Sequence, residues 1–301
     1  MLNINFTKKK FIKLLLSINK LIESFFNRIS AHIKEYKKKS LIYKRINNIA
    51  FLALSSLIFL VLIYFLIPSF FDKSLVKLKL ENQIKNQYNL KVKFIDDISY
   101  GLFPKPHYYA NKLNIFHDDN VLINSKNTRI YISAKKLFSF DNLKVKNILF
   151  KDNEFNIKKK NLSFFSNILN SNTSNHNIIF KNSIIFYRDK SDDVIFLVDL
   201  DDLKFFYSLE KKYQLTAAYK IFNLPFKLNL NHNKDENLFS FNLESKNIRL
   251  KIKNFFQYGN KKSNGLLEVK ILNDIRQFEY DIKNNLLSIK SKDDVFEGNI
   301  D

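Results

Sequence analysis

Apolar and polar residues follow three successive rhythms along the chain. The first is helical. Phe11, Leu14, Leu15, Ile18, Ile22, Phe25, Phe26, Ile29 and Ile33 recur at a spacing near 3.6, with Lys9, Lys10, Lys13 and Lys20 falling mostly on other faces. This pattern predicts an amphipathic helix in a basic arm over 1–48. The second rhythm is uninterrupted apolarity. Residues 49–67 read IAFLALSSLIFLVLIYFLI, 19 residues without a charge, broken only by Ser55 and Ser56. A helix of that length spans about 28 Å at ~1.5 Å per residue, close to the hydrocarbon thickness of a bilayer. A core helix of this length would carry a polar face. A secretory signal would begin near residue 1 and end in small residues, whereas Pro68-Ser69-Phe70-Phe71 follows here. The stretch therefore predicts an uncleaved transmembrane helix, with Ile49, Leu54, Leu57, Phe59, Leu62 and Ile67 as anchor residues and Pro68 as its stop.

The third rhythm has period two. After a short helix predicted over Ser74–Gln87 from the spacing of Leu75, Leu78 and Ile84, alternation begins at Leu90–Phe94. It returns in Phe226–Asn231, Phe239–Glu244, Ile248–Lys253, Leu267–Ile271 and Phe278–Lys283. Polar segments separate these runs: Asn231–Asn237, Glu244–Asn247, Tyr258–Gly265, Asn273–Arg276 and Asn284-Asn285. The pattern is that of an antiparallel meander with one apolar and one wet face. Phe226, Leu228, Leu230, Phe239, Phe241, Leu243, Ile248, Leu250 and Ile252 fall on the apolar face. Such a face must be covered, yet residues 200–301 contain no amphipathic helix long enough to do so. The sheet can close on itself as a sandwich or barrel, pair with another protein, or hold acyl chains in a groove. The expected fold is a membrane-anchored, mainly β protein with a curved β-groove; a closed β-sandwich is the alternative. The polar stretch 170–177, NSNTSNHN, predicts a soft boundary between a region over 68–169 and the meander over 178–301. It reads equally as a long hairpin loop within one continuous sheet.

Charge sharpens the first two rhythms. The formal net charge is +21, but residues 1–48 hold 12 Lys and Arg against 2 Asp and Glu, so nearly half the excess lies in a sixth of the chain. A basic amphipathic arm suits an anionic membrane surface, with a partner protein as the competing reading. Lys37, Lys38, Lys39, Lys44 and Arg45 just before the apolar stretch place the N-terminus on the cytoplasmic side. The remaining positive charge is spread among Lys-, Asn- and Ile-rich segments. Alternation puts aromatics on one sheet face and Lys on the other, so a nucleic-acid surface combining both is not expected.

Catalytic chemistry is not expected either. Four Gly leave no P-loop, dinucleotide or nucleophile-elbow motif, and the absence of Cys removes thiolate nucleophiles and Cys-based metal sites. His32, His107, His117, His176 and His232 have no metal-ligand spacing. Asp192, Asp193, Asp199, Asp201 and Asp202 could offer hard oxygens to Ca²⁺, but paired Asp residues beside strands more often form solvated turns. The sequence thus predicts no enzyme, cofactor or metal.

The order of features resembles the AsmA-like family of inner-membrane-anchored periplasmic proteins. The similar segments are the helix exit Leu66-Ile67-Pro68, then Gln87-Tyr88-Asn89-Leu90-Lys91-Val92, where the family often has Thr-Gly before a basic residue and a strand. Ile98-Ser99-Tyr100-Gly101-Leu102-Phe103-Pro104-Lys105-Pro106 follows, resembling the family segment ending in Leu-Phe-Pro, and leads to Lys112-Leu113-Asn114-Ile115. Leu137–Val145, Ile148–Ile157 and Phe180–Asp189 match later loop and strand segments. The likeness covers roughly 60–300. Asn89 replaces the usual Gly but tolerates positive φ. The arm is long for the family. The sequence stops at Glu297-Gly298-Asn299-Ile300-Asp301, inside an expected strand, which on this resemblance reads as a truncated or split member. The resemblance implies a single-pass protein of the bacterial inner membrane with its C-terminal domain in the periplasm. It also implies phospholipid transport or outer-membrane homeostasis through an apolar β-groove. Phospholipids, and inner-membrane anionic lipids at the arm, are the expected partners, with envelope proteins beside them. The alternative is a periplasmic scaffold for outer-membrane protein assembly that binds no lipid.

Overall fold

The computed structural model describes residues 20, 22–27, 41–117, 119–135, 137–164, 177–207, 212–259, 263–283, 286–293 and 296–300. The chain divides into two compact units, Met1–Ile63 and Tyr64–Asp301. Most of the predicted amphipathic arm lies outside the described residues; 22–27 are helical.

Helix α1 spans Leu41–Leu66, beginning eight residues before the uncharged stretch. From its middle into the following turn, Ala50–Phe70 is the segment long and apolar enough to cross a membrane, and none of its most apolar window is buried. Leu54, Leu57 and Phe59 are 47%, 59% and 63% exposed, so no described part of this chain covers them. The helix ends at Leu66 and tightens into a 3₁₀ turn, Ile67–Phe70, with Pro68 at its start. Anchor residue Ile67 therefore sits in that turn and not in the helix.

Helix α2 spans Lys73–Tyr88. Asp72 caps it by accepting the Leu75 amide at 2.9 Å. Asn89 closes it in the left-handed conformation at φ 52°, a conformation that Asn tolerates. The buried stripe is Val76, Leu80, Ile84 and Tyr88. The expected stripe is corrected in part: Ile84 is inside, but Leu75 and Leu78 are 55% and 58% exposed.

The remaining elements form one sheet. Its strands are β1 Lys91–Phe94, β2 Ile98–Gly101, β3 His107–His117, β4 Asn120–Ile132, β5 Val145–Lys158, β6 Ile178–Arg188, β7 Val194–Tyr207 and β8 Lys212–Ile221. They continue as β9 Leu224–Asn233, β10 Leu238–Ser245, β11 Leu250–Gln257, β12 Ser263–Ile271, β13 Asp274–Lys283, β14 Leu286–Ser291 and β15 Glu297–Ile300. The order is β1-β3-β4 and onward to β15 in sequence, with β2 beside β1 on β3. First and last strands do not pair, so the sheet is open, and the closed-sandwich alternative is not the fold observed.

One pairing departs from the meander. β5 and β6 run parallel, with Ile148 opposite Ile178 and Phe155 opposite Ile185. Parallel neighbours need a crossover, and residues 159–177 supply it. The NSNTSNHN segment lies in this crossover, so it is not a hairpin loop; residues 165–176 are outside the described set. The sheet itself continues across it.

Helix α2 covers the apolar face of the first strands and is stitched to them. Gln83 Oε1 accepts the Val145 amide at 2.8 Å, and Gln83 Nε2 donates to the Leu143 carbonyl. Tyr88 Oη donates to the Lys146 carbonyl at 2.9 Å, and Glu81 accepts the Phe94 amide at 2.9 Å. Beneath it pack Val92, Phe94, Ile98, Leu113, Ile115, Ile123, Ile148 and Phe155.

Candidate functional site

Antiparallel partners project to the same side of a sheet, so the register sorts the predicted face residue by residue. Phe226 faces Tyr219, Leu228 faces Ala217, and Leu230 faces Leu215. Across the next ladder Phe239 pairs with His232, Phe241 with Leu230 and Leu243 with Leu228. Ile252 then pairs with Leu243, and Leu250 with Ser245. Eight of the nine predicted residues thus share one face of β9, β10 and β11. Ile248 does not. It lies in the turn between β10 and β11, because β11 begins at Leu250 and runs on to Gln257.

The face extends well beyond those strands. One row runs Phe150, Phe180, Leu203, Ala217, Leu228, Leu243, Ile252, Val269, one side chain from each of β5 to β12. A parallel row is aromatic: Tyr213, His232, Phe239, Phe256, then Gly265 and Tyr280. Tyr213 and His232 rings stack at 5.7 Å, and Phe256 and Tyr280 at 5.9 Å. Gly265 is what admits the Tyr280 ring, since a Cβ there would sit 2.2 Å from its Cζ. Phe239 apart, the aromatic positions and those of β8 are site residues that the sequence reading passed over. Their signal was present, because Tyr213, Leu215, Ala217, Tyr219 and Ile221 alternate like the runs that were recognised.

Burial changes along this face. Apart from Pro68, every buried apolar side chain among the described residues lies between Val76 and Ala217. From β9 to β15 the buried side chains are polar: His232, Ser245, Asn254 and Ser291. Phe226, Leu228, Leu230, Phe239, Phe241, Leu243, Leu250 and Ile252 are all half-buried. Each strand's substantial contacts are with its ladder neighbours, and no second layer faces β9–β13 among the described residues.

Two polar groups are set into the apolar face. His232 Nε2 lies 2.9 Å from Tyr258 Oη, and Tyr280 Oη donates to Asn254 Oδ1 at 2.8 Å. Burial first, and the Lys234 ammonium second, hold the His232 imidazole below its usual 6.5. The opposite face is wet and charge-paired. Lys253 donates to Glu268 at 2.8 Å and Gln277 to the same carboxylate at 3.1 Å, a crosslink over β11, β12 and β13. These hydrogen bonds hold the Glu268 carboxyl below the usual carboxylate range.

The acidic cluster is dispersed. Asp192 pairs with Lys158 at 2.9 Å, while Asp201 and Asp202 lie 3.9 Å from Lys220 and Lys181. No group of three or more His, Asp or Glu among the described residues is placed to hold a metal ion. What the arrangement offers is a broad apolar strip with a charged reverse side, suited to contact with extended apolar chains. Neither a family model nor a curated protein sequence matches the chain.

Proposed function

We propose that the chain is an AsmA-like protein of the bacterial inner membrane that carries phospholipid along the apolar face of its periplasmic sheet, in the service of outer-membrane homeostasis. A single observation carries this reading: the apolar face is continuous from β5 to β12, yet beyond β8 no apolar side chain on it is fully buried. Leaving so many large side chains half in water is unfavourable by about 25 cal/mol per Å² of apolar surface, so an occupant is expected. Acyl chains fit it. They are apolar, need no directional partners, and would leave a headgroup free to reach water at the sheet's edge. From β8 to β13 the ladder spans about 24 Å at ~4.8 Å per strand, longer than the ~15 Å of one leaflet's hydrocarbon. Movement along such a face breaks no bond and requires no catalytic group.

The test is lipid content. The full chain, purified in gentle detergent and extracted, is expected to carry stoichiometric phospholipid by mass spectrometry. Leu228→Asp and Phe241→Asp place a carboxylate on the strip and are expected to abolish that lipid while circular dichroism stays unchanged. Unchanged loading in both variants excludes this face as the lipid path. A wild-type chain repeatedly free of phospholipid supports the scaffold alternative.

A further inference from the structure

We propose that loop residues 102–106, together with 133–135 and 137–139 of a second loop, form a seat on the headgroup–acyl boundary of a bilayer, with Phe70, Phe103 and Phe138 as the side chains that enter it. The inference rests on the membrane reading of α1 and concerns a surface distinct from the lipid-carrying strip.

Three hydroxyls fasten the end of the apolar helix to the second loop and to the strands that flank the first. Tyr64 Oη donates to the Ala134 carbonyl at 2.8 Å and accepts the Leu137 amide at 3.1 Å. Tyr100 Oη, at the mouth of the 102–106 loop, donates to the Phe65 carbonyl at 2.7 Å. Tyr108 Oη donates to the Pro68 carbonyl at 3.0 Å. Burial pushes the Tyr100 hydroxyl up to about 12, so it remains a neutral donor. The first loop is also tied to the residue that precedes the second, since the Ile132 amide donates to the Pro106 carbonyl at 3.0 Å. Both loops therefore sit beside the point where the apolar stretch ends.

At that point large apolar side chains face outward. Phe70, the last residue of the Ala50–Phe70 segment, is 85% exposed; Phe103 is 85% exposed and Phe138 63%. The Phe138 ring lies 6.5 Å from that of Tyr64. Lys105 and Lys135 are exposed on the same two loops. Aromatics flanked by lysines are the composition that settles at a lipid–water boundary, where rings take the acyl side and ammonium groups the phosphates. Continuity with the apolar helix identifies the occupant. Any bilayer that holds the Ala50–Phe70 segment brings its surface to residues hydrogen-bonded to these loops and their flanking strands.

The chain contains no Trp, so one introduced Trp reports its own surroundings. Four single variants of the full chain, Phe103→Trp, Phe138→Trp, Leu57→Trp within α1 and Phe222→Trp on an exposed turn, are placed in nanodiscs of phosphatidylethanolamine and phosphatidylglycerol. Acyl-brominated lipids serve as the quencher. Phe103→Trp and Phe138→Trp are expected to lose most of their emission, as Leu57→Trp does, while Phe222→Trp keeps its emission. If Leu57→Trp is quenched and both loop variants are not, the helix is in the bilayer and the seat is refuted. If Leu57→Trp is also unquenched, the membrane reading itself falls and takes the seat with it. Blue-shifted but unquenched loop emission assigns the patch to a protein partner and likewise overturns the lipid seat.

Discussion

Strands β1–β5 and strands β9–β13 are written in the same alternating code, yet only the first set fully buries a run of apolar side chains. Phe150, Phe155 and Ile148 are at most 1% exposed, whereas Phe226, Phe241 and Leu243 are half-buried on the same face of the same sheet. The difference is a second layer. Residues 73–88 lay a helix across the first strands, with Val76, Leu80 and Ile84 fully enclosed. No described element does this for the later strands. Alternation therefore specifies a face but not its cover, and the cover decides whether a face is a core or a contact surface.

The widest separation between the two regions is expected from truncation of a leucine in each. Leu80→Ala in the covered region should cost about 2–5 kcal/mol, because the surrounding layer leaves a cavity. Leu243→Ala on the open region should cost about 1 kcal/mol, since it was only half-buried and leaves no cavity. Denaturant midpoints of the detergent-solubilised full chain compare the two. Equal losses would mean that a layer covers the later strands after all.

The sequence made much of this visible, and its misses have physical reasons. The uncharged run at 49–67 announced α1, and four alternating runs became β9, β10, β12 and β13. The β11 start was misplaced because Ile248, Leu250 and Ile252 keep alternating through a turn whose Arg249 has φ 49°. The inner stripe of α2 was misjudged because apolar residues occupy both sides of that helix; only contact with the sheet selects Val76 and Leu80 over Leu75 and Leu78. The parallel β5–β6 pairing was illegible because a polar connector says nothing about the direction in which the chain returns. The polar residues of the open face were missed for a related reason. Asn254 and His232 break the apolar pattern in sequence and become partners of Tyr280 and Tyr258 only through register.

His232 yields a smaller effect that separates the regions by pH. Its ring lies among Tyr213, Phe239 and Tyr258 on the open face. The folded chain holds its proton affinity below the usual 6.5, so on acidification the unfolded chain binds a proton first. The stabilisation is complete above about 6.5 and is lost as pH falls through 6.5 towards the lower folded value. The denaturant midpoint should drop over that range, and His232→Gln should remove that part of the slope. An identical slope in both chains would mean that the ring is solvated in the folded state.

The smallest effect belongs to the far turn of the open region, and it tests whether that region can be stabilised without being covered. Phe222 and Asn223 join β8 to β9 with φ of 50° and 63°. Two positive φ values define a tight hairpin turn that favours Asn and Gly, and an aromatic residue in the left-handed region is strained. Phe222 gains nothing from packing in return, being 82% exposed. Phe222→Asn should therefore stabilise the chain by a few tenths to about 1 kcal/mol, through relief of backbone strain alone. Its phospholipid content should be unchanged, because the residue lies in the turn and off the strip. A rise in denaturant midpoint with constant lipid separates the strength of the hairpin from the occupancy of its apolar face. A fall in midpoint would show that the phenyl ring makes a contact worth more than the strain it imposes.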